Sequence, residues 1–228
     1  MSMQERIRQV ESRIEQACLR SGRKREDVNV IAVTKYVSTE TARTAVECGL
    51  GHVGENRWQD AEAKWEAIGS DAVWHFIGHL QSNKVKDVVG KFAYIHSLDR
   101  LSLAKELDRH AAKLGISVDC FVQVNVSGEQ SKYGLPPDEL VPFAEKLADY
   151  PRIRIVGLMT MAPYEAEAEA TRPVFHGLRE LRDKLNEAGV LGYSVEHLSM
   201  GMSGDFEVAI EEGATWVRLG TVLVGKEG

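Results

Sequence analysis

A lysine at the end of an apolar run is the first residue in this chain with chemical reach. Residues 28–35 read VNVIAVTK. Val28, Val30, Ile31, Ala32 and Val33 suit a strand buried on both faces, as parallel strands inside a helix-wrapped sheet are. Such a strand delivers its last residue, Lys35, to the mouth of the sheet, where α/β folds keep their ligands. Partial burial there penalises the charged ammonium, and a neutral amine can form a Schiff base with an aldehyde. On this stretch alone the plainer reading is a strand-end lysine whose ammonium snorkels to water. The residues that outweigh it lie near the other end of the chain.

Ser199, Gly201 and Ser203 precede a helical pattern that runs through Glu207 to Glu211. Backbone N–H groups at such a junction favour an anion, Gly201 permits close approach, and the hydroxyls add donors. Taken alone, Ser203 reads as a helix cap. Gly220-Thr221 supplies a second small-plus-hydroxyl pair after the next strand, and two such pairs at neighbouring strand ends predict a phosphate cup. An amine that binds aldehydes and a phosphate cup together suggest pyridoxal 5'-phosphate. Arg218, charged at any relevant pH, would then keep a nearby pyridine nitrogen unprotonated and weaken the ring as an electron sink. A structural arginine paired with an acidic side chain is the plainer alternative.

The elements that position these residues follow from periodicity. A helical stripe of Ile7, Val10, Ile14, Ala17 and Cys18 opens the chain and stops at Ser21-Gly22. Strands are predicted at 28–34, 51–54, 73–77, 93–96, 118–126, 153–158, 194–198 and 216–219. The helices between them are predicted at 38–48, 57–68, 81–90, 100–114, 137–149, 168–188 and 204–212. Eight strand–helix alternations imply parallel strands with right-handed crossovers and a closed (β/α)8 TIM barrel, with residues 1–228 as a single domain. An open doubly wound sheet is the alternative. The last outer helix is missing and an extra one stands at the N-terminus, so the extra helix is expected to pack near the gap. Read by strand ends, His75 and His96 belong to the mouth with the residues above, as do Asn125 and Thr160.

Composition sets outer limits. The chain has 228 residues, 27% of them charged, and a net charge of −6, which argues against broad nucleic-acid binding through phosphates. No apolar run is long enough to span a membrane. Cys18, Cys48 and Cys120 are far apart and odd in number, with no disulfide or zinc pattern, so a cytoplasmic setting is the default. His75 and His79 are four apart but fall on a strand and its exit, so no metal site is expected. Lys132, in the loop after the fifth strand, could reach over the mouth and touch a cofactor transiently. Residues 164–169 (YEAEAE) read as an acidic rim.

Eight segments carry a resemblance that runs in order through most of the chain. They are AVTK at 32–35, GEN at 54–56, WHFIGHLQSNK at 74–84, HSLD at 96–99, VNVSGEQSKYG at 124–134, GLMTMAP at 157–163, LSMGMSGDFEVAI at 198–210 and VRLGT at 217–221. By these the chain resembles the pyridoxal phosphate homeostasis proteins (the YggS/PROSC group). The resemblance implies a barrel like the N-terminal domain of alanine racemases, with Lys35 as the Schiff-base lysine and Asn56 near the cofactor. It implies that Ser199, Gly201, Ser203, Gly220 and Thr221 form the phosphate cup and that Arg218 faces the pyridine nitrogen. Many members carry a second lysine two positions after the first; here that position is Val37, so no role transfers to it. The implied function is to bind, buffer and pass on the cofactor, with apo forms of pyridoxal-phosphate enzymes as recipients, a monomeric state and no established turnover. The alternative is an amino-acid racemase, which needs a base on each face of the substrate. The resemblance places that second base in an added domain, so Tyr36, Tyr133, Tyr164, His79 and His197 are the substitutes here. A class-I aldolase acting on a phosphorylated sugar would also use a lysine and a phosphate cup.

Overall fold

The computed structural model describes residues 1–163 and 166–227. Helix α1, Met3–Arg20, begins in a capping box between Ser2 and Glu5 and buries Val10, Ile14, Ala17 and Cys18. The barrel then runs β1 Asn29–Val33, α2 Thr39–Glu47, β2 His52–Glu55, α3 Trp58–Ile68, β3 Val73–Phe76, α4 Val85–Val88, β4 Tyr94–Leu98 and α5 Leu101–Leu114. It continues with β5 Val118–Gln123, α6 Leu140–Lys146, β6 Ile153–Met159, α7 Arg172–Ala188, β7 His197–Ser199, α8 Phe206–Glu211, β8 Trp216–Leu219 and α9 Thr221–Val224. The eight strands are parallel and close in sequence order, β8 pairing with β1. The fold is therefore the closed barrel and not the open sheet.

The differences from the expected elements have local causes. β5 stops at Gln123 because the chain beyond it pairs with its own returning loop. Leu135 N–H donates to the Gln123 carbonyl, and Asn125 N–H donates to the Leu135 carbonyl. The helix expected at 81–90 is a 3-10 turn, Ser82–Lys84, followed by one α turn. The helix expected at 137–149 is α only over its middle, with 3-10 turns on both sides.

The gap after β8 is filled as expected. α9 is a single turn, and α1 lies against it and against α8. Arg6 Nε donates to the Leu223 carbonyl at 2.7 Å, while Arg13 and Arg20 pair with Glu207 and Glu211 at 2.9 and 2.6 Å. Beyond α1, Arg23 donates to the carbonyls of Ile210 and Ala214 at 2.7 and 2.8 Å, tying the turn after α8 to the end of α1.

Two apolar clusters form. The larger lies between the strands and the helices. The smaller, Ile31, Phe121, Met159 and Trp216, fills the barrel itself. It shares that interior with imidazoles: His96 stacks on Phe121 with centroids 4.1 Å apart, and His75 stacks on Tyr94 at 4.7 Å.

Candidate cofactor-binding site

Strand register brings the predicted residues together. Val33 lies opposite Gly54, so Lys35 and Asn56 leave the sheet at the same level. Ala32 lies opposite Leu219, so Gly220 and Thr221 stand beside the end of β1. Arg218 N–H donates to the Gly201 carbonyl at 2.9 Å, which joins the loop after β7 to β8. Lys35, Asn56, Gly201, Ser203, Arg218, Gly220 and Thr221 thus share the carboxyl end of four adjacent strands, β7, β8, β1 and β2.

Lys35 is half-buried, and its ammonium has no hydrogen-bond partner among the described residues. The ammonium lies 4.8 Å from the centroid of the Tyr36 ring. The loop after β7 turns at Gly201, whose φ is +95. A Cβ there would lie 2.6 Å from the Ala209 Cβ, so only glycine fits. Within that turn the Met202 N–H is bound by Asp205 Oδ1 at 2.7 Å, while those of Ser203 and Gly204 have no acceptor among the described residues. The Thr221 and Val222 N–H groups at the start of α9 are also without one. Four backbone donors from two adjacent loops can therefore receive one oxyanion. Ser203 is not a helix cap, because its Oγ accepts from the Gly220 N–H at 3.3 Å and ties the two loops together. Asn56 packs under Gly78, where a Cβ would fall 2.5 Å from the Asn56 carbonyl, and its Oδ1 is buried with no partner.

Arg218 is 4% exposed. Its Nη1 donates to Ser199 Oγ at 2.6 Å and its Nη2 to the Thr160 carbonyl at 3.0 Å. Its Nε–H has no acceptor among the described residues. Burial lowers the guanidinium to about 10, opposed by the field of Asp205, so it stays charged at neutral pH. Asp205 is not a close ion-pair partner, which removes the plainer alternative of a structural salt bridge. Its own carboxyl is pushed up by burial.

Ser199 departs from the expected role. It is fully buried, and its hydroxyl is engaged by Arg218 and by His96 Nδ1 at 2.8 Å. It supports the arginine from below the cup rather than offering its hydroxyl to an anion. His75 and His96 are not at the mouth either. They point into the barrel, completely buried, and form a column: His96 Nε2 lies 2.9 Å from His75 Nδ1, and His75 Nε2 lies 3.0 Å from His52 Nδ1. Burial holds both His75 and His96 well below the ordinary histidine range. His197 opens β7, at the opposite end of the barrel, and contacts Thr215. His79 is at the mouth, stacked on Tyr133 with centroids 3.8 Å apart. Lys132 is held by Glu129 at 2.9 Å. Tyr164 and residue 165 of the acidic rim lie outside the described residues.

A second buried group escaped the sequence reading. Lys64 on α3 donates to Glu55 Oε1 at 2.9 Å and to the Thr34 carbonyl at 2.6 Å, and the Thr34 hydroxyl donates to the same carboxylate oxygen at 2.6 Å. Glu55 and Lys64 are 0% and 5% exposed. Thr34 precedes Lys35 and Glu55 precedes Asn56, so this knot fixes both chain exits to one helix. The only sequence signal was a Glu beside the short run Val53-Gly54.

Residues 8–227 match the family described as "Alanine racemase, N-terminal domain". The pyridoxal phosphate homeostasis protein of Aquifex aeolicus is 46% identical over 99% of both chains. The structure of PipY from Synechococcus elongatus, solved with pyridoxal phosphate bound, superposes with a TM-score of 0.84 and 36% identity, covering 98% of this chain and 100% of PipY. An alanine racemase from Clostridium difficile shares the fold, with a TM-score of 0.77 and 18% identity over 96% of this chain but 56% of its own.

Proposed function

This chain belongs to the pyridoxal phosphate homeostasis proteins, and we propose that residues 1–228 act as one barrel that holds pyridoxal 5'-phosphate and hands it on without turnover of its own. The residues fit the cofactor. Lys35 has a free amine for the aldehyde carbon, held as a Schiff base. The unpartnered N–H groups around Gly201, Ser203, Gly220 and Thr221 suit the phosphate, and Asn56 has an orphaned carbonyl oxygen beside the ring's path. When bound, the cofactor supplies an electron-withdrawing ring and a carbonyl carbon that amines attack.

The observation that carries the reading is Arg218. A buried, donor-only cation with an unused Nε–H belongs to the strand that carries Gly220 and Thr221 and neighbours that of Lys35, and it would meet a ring nitrogen as a donor. It keeps that nitrogen unprotonated, which weakens electron withdrawal and disfavours proton abstraction from an amino acid. Tyr36 is 78% exposed, and His197 lies at the far end of the barrel, so neither is set as an opposing base. A holder of this kind delivers cofactor to apo-enzymes, works as a monomer and resides in the cytoplasm, in keeping with three free thiols.

The test uses the purified protein and a Lys35→Ala variant. The parent is expected to show the yellow absorption of bound cofactor, and the variant to lose it. Transfer to an apo-enzyme, with no deuterium entering the α-carbon of alanine from solvent, supports the holder. Deuterium entry at catalytic rates establishes the racemase instead.

A further inference from the structure

The barrel axis holds a continuous hydrogen-bonded line from Arg218 through Ser199, His96 and His75 to His52. Three of its members, Ser199, His96 and His75, are completely buried. Nothing in the cofactor reading requires three imidazoles in a row at the apolar centre of a barrel. Burying each costs free energy unless its polar atoms are satisfied.

The direction of the line follows from donor counting. Guanidinium nitrogens only donate. Ser199 Oγ therefore accepts from Arg218, and its single hydrogen has one acceptor in reach among the described residues, His96 Nδ1. His96 is then protonated on Nε2, which donates to His75 Nδ1. His75 is likewise protonated on Nε2 and donates to His52 Nδ1. Every hydrogen bond points away from Arg218, so the column turns its acceptor end toward the buried cation. That partly replaces the water and the close carboxylate the cation lacks. Phe121 and Tyr94 stack on His96 and His75 within 12° of parallel and hold the planes of the two imidazoles.

We propose that Ser199, His96, His75 and His52 form a one-way column that positions the Arg218 guanidinium for the cofactor's ring nitrogen, with each imidazole held as its Nε2–H tautomer. The positioning claim rests on the cofactor site above; the tautomers do not. His96 and His75 are positioning residues, acting on the cofactor through Arg218.

The column is tested first in protein free of cofactor. Long-range proton–nitrogen correlation spectra of 15N-histidine protein, above neutral pH, are expected to show Nε2–H alone at His75 and His96. An Nδ1–H form or a mixture at either residue overturns the column. In an Arg218→Glu variant the chain end becomes an acceptor, and both tautomers are expected to reverse to Nδ1–H. Should that variant not fold, Ser199→Ala serves. It cuts the link at Nη1 while Nη2 stays on the Thr160 carbonyl, so the Arg218 Nη1–H resonances of the parent are expected to shift and to exchange faster with solvent. Unchanged resonances would refute the positioning role. Titration with pyridoxal phosphate then reads about tenfold weaker binding in Ser199→Ala, as for one lost charge-assisted hydrogen bond; undiminished binding counts against positioning. A parent that shows the expected tautomers yet takes up no pyridoxal phosphate sinks the cofactor site and leaves the column standing.

Discussion

Glu55 and Lys64 form a buried pair that fixes the chain exits at Lys35 and Asn56 to one helix. Their pair is sealed from water, and one carboxylate oxygen of Glu55 has no partner. Removing the lysine alone leaves a buried carboxylate without its cation, which costs about 3–5 kcal/mol in comparable pairs. Lys64→Met is therefore expected to lower unfolding free energy in urea by that amount. Glu55→Gln combined with Lys64→Met is expected to recover most of the loss. A Lys64→Met variant as stable as the parent would show that the pair is inert. The gathering of Lys35, Gly201 and Arg218 at one end of the barrel was legible in the sequence because a barrel puts strand ends at its mouth, and each stands at or next to an apolar run. Glu55 and Lys64 were not, since they meet across a strand–helix turn nine residues apart. His75 and His96 were misplaced for a related reason. Being on a strand fixes which face a side chain takes, but meeting across a barrel depends on register and closure, which no local pattern encodes.

Among the elements, α1 has a role that its position in the sequence understates. Its stripe was readable, and the structure sets it against α8 and α9. The polar links were not readable, because they join residues about 190 or more positions apart. These links differ in worth. Arg20 and Glu211 form a pair that is half exposed on the arginine side, so Arg20→Ala is expected to cost less than about 1 kcal/mol. Arg23 donates to the Ile210 carbonyl, which also accepts from the Gly213 N–H, and to the Ala214 carbonyl just beyond α8, and Arg23→Ala is expected to cost about 2 kcal/mol. Urea unfolding of the two variants side by side checks the order. Equal losses would mean that burial of the α1 stripe, not carbonyl capping, holds this seam.

For the molecule as a whole, the buried histidines set a pH dependence. His75 and His96 titrate well below 6.5 when folded and near 6.5 when unfolded. Below that value the unfolded chain binds more protons, so stability is fully present above about pH 6.5 and is lost as the pH falls. Each histidine contributes a slope of up to about 1.4 kcal/mol per pH unit. The carboxyls of Glu55 and Asp205, raised by burial, act in the opposite sense and make the net slope shallower. A His96→Asn variant is expected to lose about one proton's share of the slope between about pH 6.5 and 5.5. An unaltered slope would mean that His96 is protonated in the folded protein. The closure of β8 on β1, with α1 clasped by α8 and α9, also orders events during synthesis. On the ribosome, β1 emerges early but waits for its last partner until residues 216–219 follow it out. Until then Lys35 has no Gly220 or Thr221 beside it and the open β1 edge stays unpaired, so the nascent chain passes through most of translation as a sheet with two free edges. Closure of the mouth thus waits for residues 216–221, and the long wait for a contact of this sequence separation makes barrel closure the slow, aggregation-exposed stage of folding.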